Sequence, residues 1–362
     1  MADHEKETIG ELNQKIQETN RKIRHIPSLP RYWAGNFVET GGDFHVFLGG
    51  SPERKGETVL PSSLSALQSL VEPYELDGKT EEGQRRLALA EWIVDKRNPL
   101  TSRVLANRLW HYHFGVGIVA TPSDFGKMGG MPTHPELLDW LASQILDHDW
   151  KLKPIHKMIM LSKTYRQSSV FREASADVDS DDRFYWRFSP RRLSAEEIRD
   201  TVLNLAGVLD LKTGGPGFRL YRYLQDNVAT YIPREQFGPE TYRRAVYHQN
   251  ARAALVDLMT DFDCPDNAFA APRRASTTTP LQALTMMNHS FTMDMASSMA
   301  ERIQIKTSSE DLDQQVRQLF ENAYLRHPSQ EEASRSVQFI QDYGLQAFCR
   351  AMLNSNELIY LN

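Results

Sequence analysis

Residues 98–169 read NPLTSRVLANRLWHYHFGVGIVATPSDFGKMGGMPTHPELLDWLASQILDHDWKLKPIHKMIMLSKTYRQSS, and this stretch decides the fold. Apolar residues recur at helical spacing on both sides of a glycine-rich segment, which predicts two helices joined by a loop. The first helix is expected over residues 99–114, and Gly115 is placed to be its left-handed C-terminal cap. Its apolar face is predicted to consist of Val104, Leu105, Leu109 and Tyr112.

Helix starts are marked by capping boxes, in which a hydroxyl residue is followed three positions later by Glu or Gln. Four segments match this pattern ahead of an apolar-periodic run: Thr133 with Glu136, Ser194 with Glu197, Thr279 with Gln282, and Ser329 with Glu332. Two segments predict short strands, VFLGG (46–50) and RRAVYHQ (243–249). The pattern therefore predicts a mainly α, multi-helix globular domain with a few short β-strands.

The N-terminal segment carries a short heptad repeat. Its stripe consists of Ile9, Leu12, Ile16, Thr19, Ile23 and Ile26, at spacings of three and four. Pro27 and Pro30 are expected to end this helix. We interpret it first as a helix packed on the body of the chain. A dimer seam and the tail of a helical hairpin are the alternatives.

Three regions follow from these patterns. Residues 1–30 form an amphipathic helix, which would be the stump of an inter-domain helix if the chain is part of a longer protein. Residues 31–82 are turn-rich and predict an irregular linker region with short strands. Residues 83–362 are expected to form one helical domain.

Composition excludes several classes of protein. The chain has 362 residues, 40% of them hydrophobic, and a net charge of −5, which argues against nucleic acid as a partner. No apolar run is long enough to predict a membrane span, and the charged N-terminus is not a secretory signal. The chain contains neither CxxCH, CxxC nor HExxH, so no haem cofactor is expected and a metal is left unassigned.

The loop after residue 114 holds the first candidate site. His134 would be a catalytic acid or base in the first turn of a helix, and Asp124 would orient it. The two could equally contribute to a metal site. Candidate ligand-binding residues are Asn107, Arg108, Trp110, His111 and Arg166. The alternative is a structural polar network, in which Asp124 caps loop amides and Trp110 packs the loop. His111 and His113 are two apart on a helix and are not expected to share a metal.

A second basic cluster lies in residues 265–288. Arg273, Arg274 and three threonines precede a helix N-terminus, a geometry that favours anions, although a well-capped helix explains it equally. Cys264 lies between acidic residues and is expected to be a poor nucleophile. The methionines of residues 286–299 are expected to fill the core.

Six blocks of sequence resemble one known family. They are NPLTSRVLANRLWHYHFGVGIV, SDFGKMGGMPTHPELLDWLA, LSKTYRQSS, RRLSAEEIRD, STTTPLQALTMMN and AMLNSNELIYLN, in that order. They resemble the C-terminal planctomycete-specific domain of unknown function, over about residues 83–362. The resemblance implies a mostly helical, exported module that follows cytochrome-c-like domains and is often encoded near sulfatases and polysaccharide-degrading enzymes. A periplasmic or extracellular location is therefore expected; a complete gene product of this sequence would instead be cytoplasmic.

Three hypotheses for function follow. The first is an extracytoplasmic binding or scaffolding module for polysaccharide, including sulfated polysaccharide, because Arg108 and Arg166 suit sulfate or uronate groups. The second is an enzyme in polysaccharide or redox metabolism, with His134 and Asp124 as an acid–base or metal site. The third is a purely structural domain that docks onto a cytochrome-c-like domain or the upstream half of the same protein.

Overall fold

The computed structural model of the chain describes residues 3–24, 43–225, 229–251, 256–307 and 311–361. The chain divides into two units, Met1–Asn98 and Pro99–Asn362. Fourteen α-helices and six short strands lie in the described residues. The predicted mainly α fold with a few short strands is therefore confirmed.

The unit Met1–Asn98 has two α-helices and one hairpin in its described part. Helix α1 spans Asp3–Arg24 and helix α2 spans Glu82–Val94. Strands β1 (Phe44–Phe47) and β2 (Lys55–Val59) pair antiparallel. The strand predicted at 46–50 covers the end of β1 and then becomes a 3-10 turn at Leu48–Gly50.

The heptad stripe of α1 is exposed. Ile9, Leu12, Ile16 and Ile23 are each between 47% and 57% exposed, while Ile26 lies outside the described residues. The heptad stripe therefore lies on the exposed side of the described helix, and its packing on the body of the chain stays a prediction.

The unit Pro99–Asn362 contains the other helices. They are α3 (Pro99–Phe114), α4 (Pro135–Asp147), α5 (Leu152–Leu161), α6 (Glu173–Ala176), α7 (Ala195–Ala206), α8 (Asp257–Thr260), α9 (Pro280–Asn288), α10 (Ser290–Lys306), α11 (Leu312–Tyr324), α12 (Gln330–Tyr343), α13 (Leu345–Leu353) and α14 (Asn356–Ile359). As predicted, Gly115 ends α3 with φ 82°, and its amide donates to the His111 carbonyl at 2.7 Å.

The remaining strands form two small antiparallel pairs. Strand β3 (Arg191–Arg192) pairs with β6 (Tyr360–Leu361), and β4 (Tyr221–Gln225) pairs with β5 (Ala229–Pro233).

The strand predicted at 243–249 is wrong. Its centre is a 3-10 turn at Ala245–Tyr247, flanked by single bridges at Arg243 and His248. The carboxylate of Asp200 accepts the Ala245 amide at 2.7 Å, so a side chain takes the donor that a strand would use.

Three of the four predicted capping boxes are confirmed, at Ser194, Thr279 and Ser329. The box predicted at Thr133 is wrong, because α4 begins one residue later, with His134 as the N-cap and Pro135 as the first helical residue. Proline is favoured at the first position of a helix. The Thr133 hydroxyl instead donates to the Ile118 carbonyl at 3.4 Å and ties down the loop.

Two separate hydrophobic cores lie within Pro99–Asn362. The first core is built from α3, α4, α5 and the loop after α3; its buried residues are Ala106, Leu109, Trp110, Phe114, Ile118, Val119, Leu138, Leu141, Ala142, Ile145, Ile155, Ile159 and Phe188. The second core is larger and is built mainly from α7, α9, α10, α11 and α13. As predicted, it contains methionines, and Met286, Met295 and Met299 are at most 1% exposed.

The buried face of α3 differs from the predicted one. It consists of Ser102, Ala106, Asn107, Leu109, Trp110 and Phe114. Only Leu109 belongs to both sets, and Tyr112 is 65% exposed. The helix is rotated in this way because Asn107, a polar residue, faces inward and fastens the following loop.

Candidate functional site

Asn107 lies in the first core as a clamp on the loop. It is fully buried; its amide nitrogen donates to the Val119 carbonyl at 3.0 Å, and its amide oxygen accepts from the Val119 backbone amide at 2.8 Å. Gly117 makes room for this clamp, since a Cβ there would lie 2.7 Å from the Asn107 oxygen. Both hydrogen-bonding groups of Asn107 are therefore engaged by the loop.

Trp110 is also inside the first core. Its ring stacks on Phe114 at 4.2 Å between centroids, and its indole nitrogen donates to the Tyr185 hydroxyl at 2.7 Å. Only 4% of the residue is exposed. Of the two roles considered for Trp110, the structure places it in packing, with no open face for a sugar ring.

Asp124 and His134 are not paired in the structure. The Asp124 carboxylate accepts the Gly126 amide at 2.9 Å, which is a local turn. The His134 ring contacts the Thr133 hydroxyl at 2.9 Å through Nδ1 and packs against Tyr185. Each side chain thus serves the local structure of its own segment, as in the structural alternative, and the expected acid–base pair is not formed.

The other three predicted residues have different surroundings. Arg108 and Arg166 are exposed. His111 is half-buried, and its pKa is lowered, first by burial and then by the positive charge of Arg273. Among the seven predicted site residues, His111 is the one that lines a cavity described below.

That cavity is a cleft of about 370 Å³ between α3 and the segment 264–274. We call it the α3 cleft; its lining residues are His111, Tyr112, Glu196, Asn250, Cys264, Pro265, Asp266, Asn267, Phe269, Ala271, Pro272, Arg273 and Arg274. One wall therefore comes from the helix that carries the first core, and the other from residues beside the second core. Tyr112 and Phe269 expose 65% and 79% of their surface.

An ion pair forms the floor of the α3 cleft. Both guanidinium nitrogens of Arg274 donate to the Glu196 carboxylate, one of them at 2.8 Å. Burial alone would raise the pKa of Glu196, but the hydrogen bonds from Arg274, its own backbone and Ser194, together with the positive charge of Arg274, outweigh burial and lower that pKa. Glu196 is therefore held ionised, and the pKa of Arg274 is raised in return.

Cys264 lies against the same carboxylate, with its sulfur 3.9 Å from Glu196 Oε1. Its pKa is raised, first by burial and then by the negative charge of Glu196. The expectation of a poor nucleophile agrees with this direction. Burial raises the pKa of Cys264 most, and the acidic residue that raises it further is Glu196, which is distant in sequence.

The segment that forms the outer wall is fastened at its two ends. The Asp263 carboxylate accepts the Thr277 amide at 2.8 Å and the Thr277 hydroxyl at 2.9 Å. It also pairs with Arg192 at 2.6 Å, and the Arg192 side chain is only 4% exposed. These bonds close residues 264–276 into a loop with a fixed base, which we call the wall loop.

His248 lies near the α3 cleft, among charged groups. Both ring nitrogens are buried, and hydrogen bonding with Asn250 opposes part of the effect of burial on the pKa of the ring. The pKa of His248 is lowered to about 4, mainly by burial and next by the charge of Arg199. At neutral pH the ring is therefore uncharged.

The described residues offer no cluster of metal-ligating side chains. None of their His, Cys, Asp and Glu side chains gather in groups of three or more that could hold a metal ion. His111 and His113 have separate surroundings, because His113 contacts His156 at 2.8 Å.

The sequence patterns single out His111 and residues 264–274 as separate features, and they do not predict that the fold brings them together with Glu196 in one cleft. Glu196 lies inside the capping sequence of residues 194–197, and the helical spacing predicts Tyr112 on the apolar face of α3. The signal that could have located the cleft is the exposed Phe269 next to the Arg273–Arg274 pair, because an aromatic residue in a polar, proline-containing segment has no core to join.

Comparison with known proteins assigns the family. A family model described as "Protein of unknown function (DUF1553)", with the short name PSD1, matches residues 85–340. The chain belongs to this family, which confirms the resemblance to a domain of unknown function. Comparisons with curated proteins and with solved structures found no match.

Proposed function

We propose that the chain is a binding module for acidic polysaccharide, including sulfated polysaccharide, and that the α3 cleft is its binding site. The observation that carries this proposal is the pairing of two exposed aromatic rings, Tyr112 and Phe269, with planar charged side chains in one cleft. The apolar C–H face of a sugar packs on an aromatic ring, while its hydroxyl and acidic groups need directed polar partners.

The charges of the α3 cleft favour an anionic ligand. Arg274 is neutralised by Glu196. Arg273 is exposed and makes no ion pair within the described residues, so its guanidinium is available for a sulfate or carboxylate. Asn250 and Asn267 add amide groups that can both donate and accept.

Binding is favoured over acid–base catalysis by the state of the titratable groups. The carboxylate of Glu196 is engaged by Arg274, and the raised pKa of Cys264 keeps the thiol protonated. His134 and Asp124 hold local structure instead of facing each other. A second function is not argued, since no observation favours one.

The setting of the module is part of the proposal. By family resemblance we place it outside the cytoplasm, beside a cytochrome-c-like domain or an upstream part of the same protein. Among the described residues, no helix combines the length and apolar character that a membrane crossing requires. An antibody against this chain should detect it in the periplasmic or secreted fraction of its source cells; recovery from the cytoplasm alone would contradict the location.

A glycan array followed by calorimetry tests the binding site. The purified chain should bind sulfated or uronate-containing glycans. Arg273→Ala should weaken binding about tenfold or more, since a charge-assisted hydrogen bond contributes roughly 1.5–3 kcal/mol. Phe269→Ala should also weaken binding, because the sugar loses an aromatic ring to pack on. Arg335→Ala is the matched control, because Arg335 is an exposed arginine on α12. His134→Ala and Asp124→Asn test the loop after α3. Cleft variants that bind like the unaltered chain would refute the site.

A further inference from the structure

The stripe on α1 has the exposure and the register of a coiled-coil seam. Ile9, Ile16 and Ile23 occupy every first position of the heptad, and Leu12 and Thr19 occupy the fourth positions. Its apolar members between residues 9 and 23 are each about half exposed. A stripe of this kind on an otherwise polar helix is typical of a surface that a second helix covers.

The residue types on the stripe indicate the number of helices. β-branched Ile at the first position with Leu at the fourth favours two strands in a parallel arrangement. All three first positions are Ile, and the fourth position that follows Ile9 is Leu12. Every copy of the chain carries the same stripe, so a second copy offers a matching seam without any further partner.

The flanking residues select the direction of the partner. Asn13 and Asn20 lie on one side of the seam, and Lys15 and Lys22 lie on the other. In an antiparallel pair like flanks meet, so Lys15 and Lys22 would face lysines. In a parallel pair the lysine flank of one helix meets the asparagine flank of the other, and no like charges face each other.

We propose that α1 joins two copies of this chain through a parallel, in-register, two-stranded coiled coil. The seam is about two and a half heptads long, so the association is weak and depends on concentration. This inference is independent of the α3 cleft, and neither one requires the other.

Analytical ultracentrifugation of the full chain over a wide concentration range tests the association. We expect a monomer–dimer equilibrium, and Ile16→Lys should weaken it at least 100-fold, because two lysines would meet at the centre of the seam. Gln14→Lys places the same charge on the outer face of α1 and should leave the equilibrium unchanged. Both variants should melt like the unaltered chain. A monomer at every concentration, or a dimer that Ile16→Lys does not affect, would overturn the proposal.

Disulfide trapping tests the direction. In a Cys264→Ser background, Ile9→Cys should form intermolecular disulfides on mild oxidation, because the two Ile9 positions face each other in a parallel pair. In an antiparallel pair the first positions pack against the fourth positions, so residue 9 would face a residue such as 19. The two Ile9 positions would then lie roughly 15 Å or more apart, since the rise is about 1.5 Å per residue. Gln14→Cys is the control for random collision. A dimer in which Ile9→Cys links no faster than Gln14→Cys would refute the parallel arrangement.

Discussion

In the first core the buried polar side chain that fastens a segment is the neutral amide of Asn107, whereas in the second core it is the guanidinium of Arg192 or Arg199. Asn107 finds both its partners in the backbone of Val119. Arg192 pairs with the Asp263 carboxylate. Arg199 donates to the carbonyls of Thr241 and Arg243. Its guanidinium also lies over the rings of Phe218 and Phe291.

The two cores therefore depend on their surroundings in different ways. A neutral amide needs only hydrogen bonds, so removing it costs those bonds and a cavity. A buried guanidinium also needs a partner that compensates its charge. Loss of that partner leaves a buried positive charge with neither a counter-ion nor solvent. Burial already lowers the pKa of Arg199 to about 10. The second core should therefore respond more strongly to changes in charge.

The largest effect is expected from Asp263→Asn. Asparagine accepts the left-handed φ of 60° at this position and nearly keeps the shape, but it removes the charge that compensates buried Arg192. We expect a loss of about 3 kcal/mol in the free energy of unfolding, measured by urea denaturation.

A second variant separates charge from packing. Arg192→Met in the Asp263→Asn background removes the uncompensated ion and should recover most of the lost stability, because an apolar side chain needs no partner. If the double variant is no more stable than Asp263→Asn alone, the loss comes from the base of the wall loop rather than from the charge of Arg192.

The corresponding change in the first core is Asn107→Ala. It leaves the Val119 amide and carbonyl without partners and opens a cavity beside Gly117, so we expect a loss of about 2–3 kcal/mol in urea denaturation. This loss should not change between low and high salt, because no charge is involved. A salt-dependent loss would contradict the contrast between the cores.

The pH response should distinguish the cores as well. His248 has a pKa of about 4 in the folded chain against about 6.5 when unfolded, so the unfolded state binds more protons between these values. Stability should therefore fall as the pH drops from 6.5 to 4, because a protonated His248 would place a second positive charge near Arg199. We expect this residue to account for roughly 2 kcal/mol, discounted for partial exposure.

Thermal melts at pH 7 and pH 4.5 check this expectation. His248→Gln cannot gain that proton, so its stability should fall less over this interval. His111, His113 and His289 also have pKa values lowered by burial and contribute in the same direction, and they are retained in the variant. An unchanged pH response in His248→Gln would show that those other histidines carry the effect.

The smallest effects concern helix capping, once in each core. Ser329→Ala should cost about 1 kcal/mol, because the Ser329 hydroxyl accepts the Glu332 amide at the start of α12. Thr133→Ala alters the same sequence pattern but removes no helix cap. It loses a long bond to the Ile118 carbonyl and a contact with the His134 ring, so its cost should be smaller, about 0.5 kcal/mol. Equal losses in both variants would show that the sequence pattern, rather than the observed cap, governs stability.

Local rules were sufficient for most of the fold. The capping boxes at Ser194, Thr279 and Ser329 and the glycine cap at 115 depend on a few adjacent residues, and the structure confirms all four. Two of the errors occur where a tertiary contact, rather than the local pattern, sets the structure. Asp200 takes the Ala245 amide from a predicted strand, and the inward Asn107 sets the buried face of α3.

The candidate site was harder to predict for the same reason. Density of polar residues in one stretch led to His134 and Asp124, but each has local partners. The α3 cleft joins Tyr112, Glu196 and Arg273, which are far apart in sequence. Only tertiary packing brings these three residues together, and no pattern of spacing in the sequence predicts their contact.

The cysteines give the chain a natural chemical reporter. Of the two, Cys349 is fully buried and its pKa is raised to about 12, so thiol reagents cannot reach or ionise it in the folded state. Cys264 is partly exposed and lines the α3 cleft. Its raised pKa makes alkylation slow at neutral pH, which puts the reaction on a timescale that mass spectrometry follows easily. The alkylation rate of one native thiol therefore reads out whether the cleft is open or covered, with no change to the sequence.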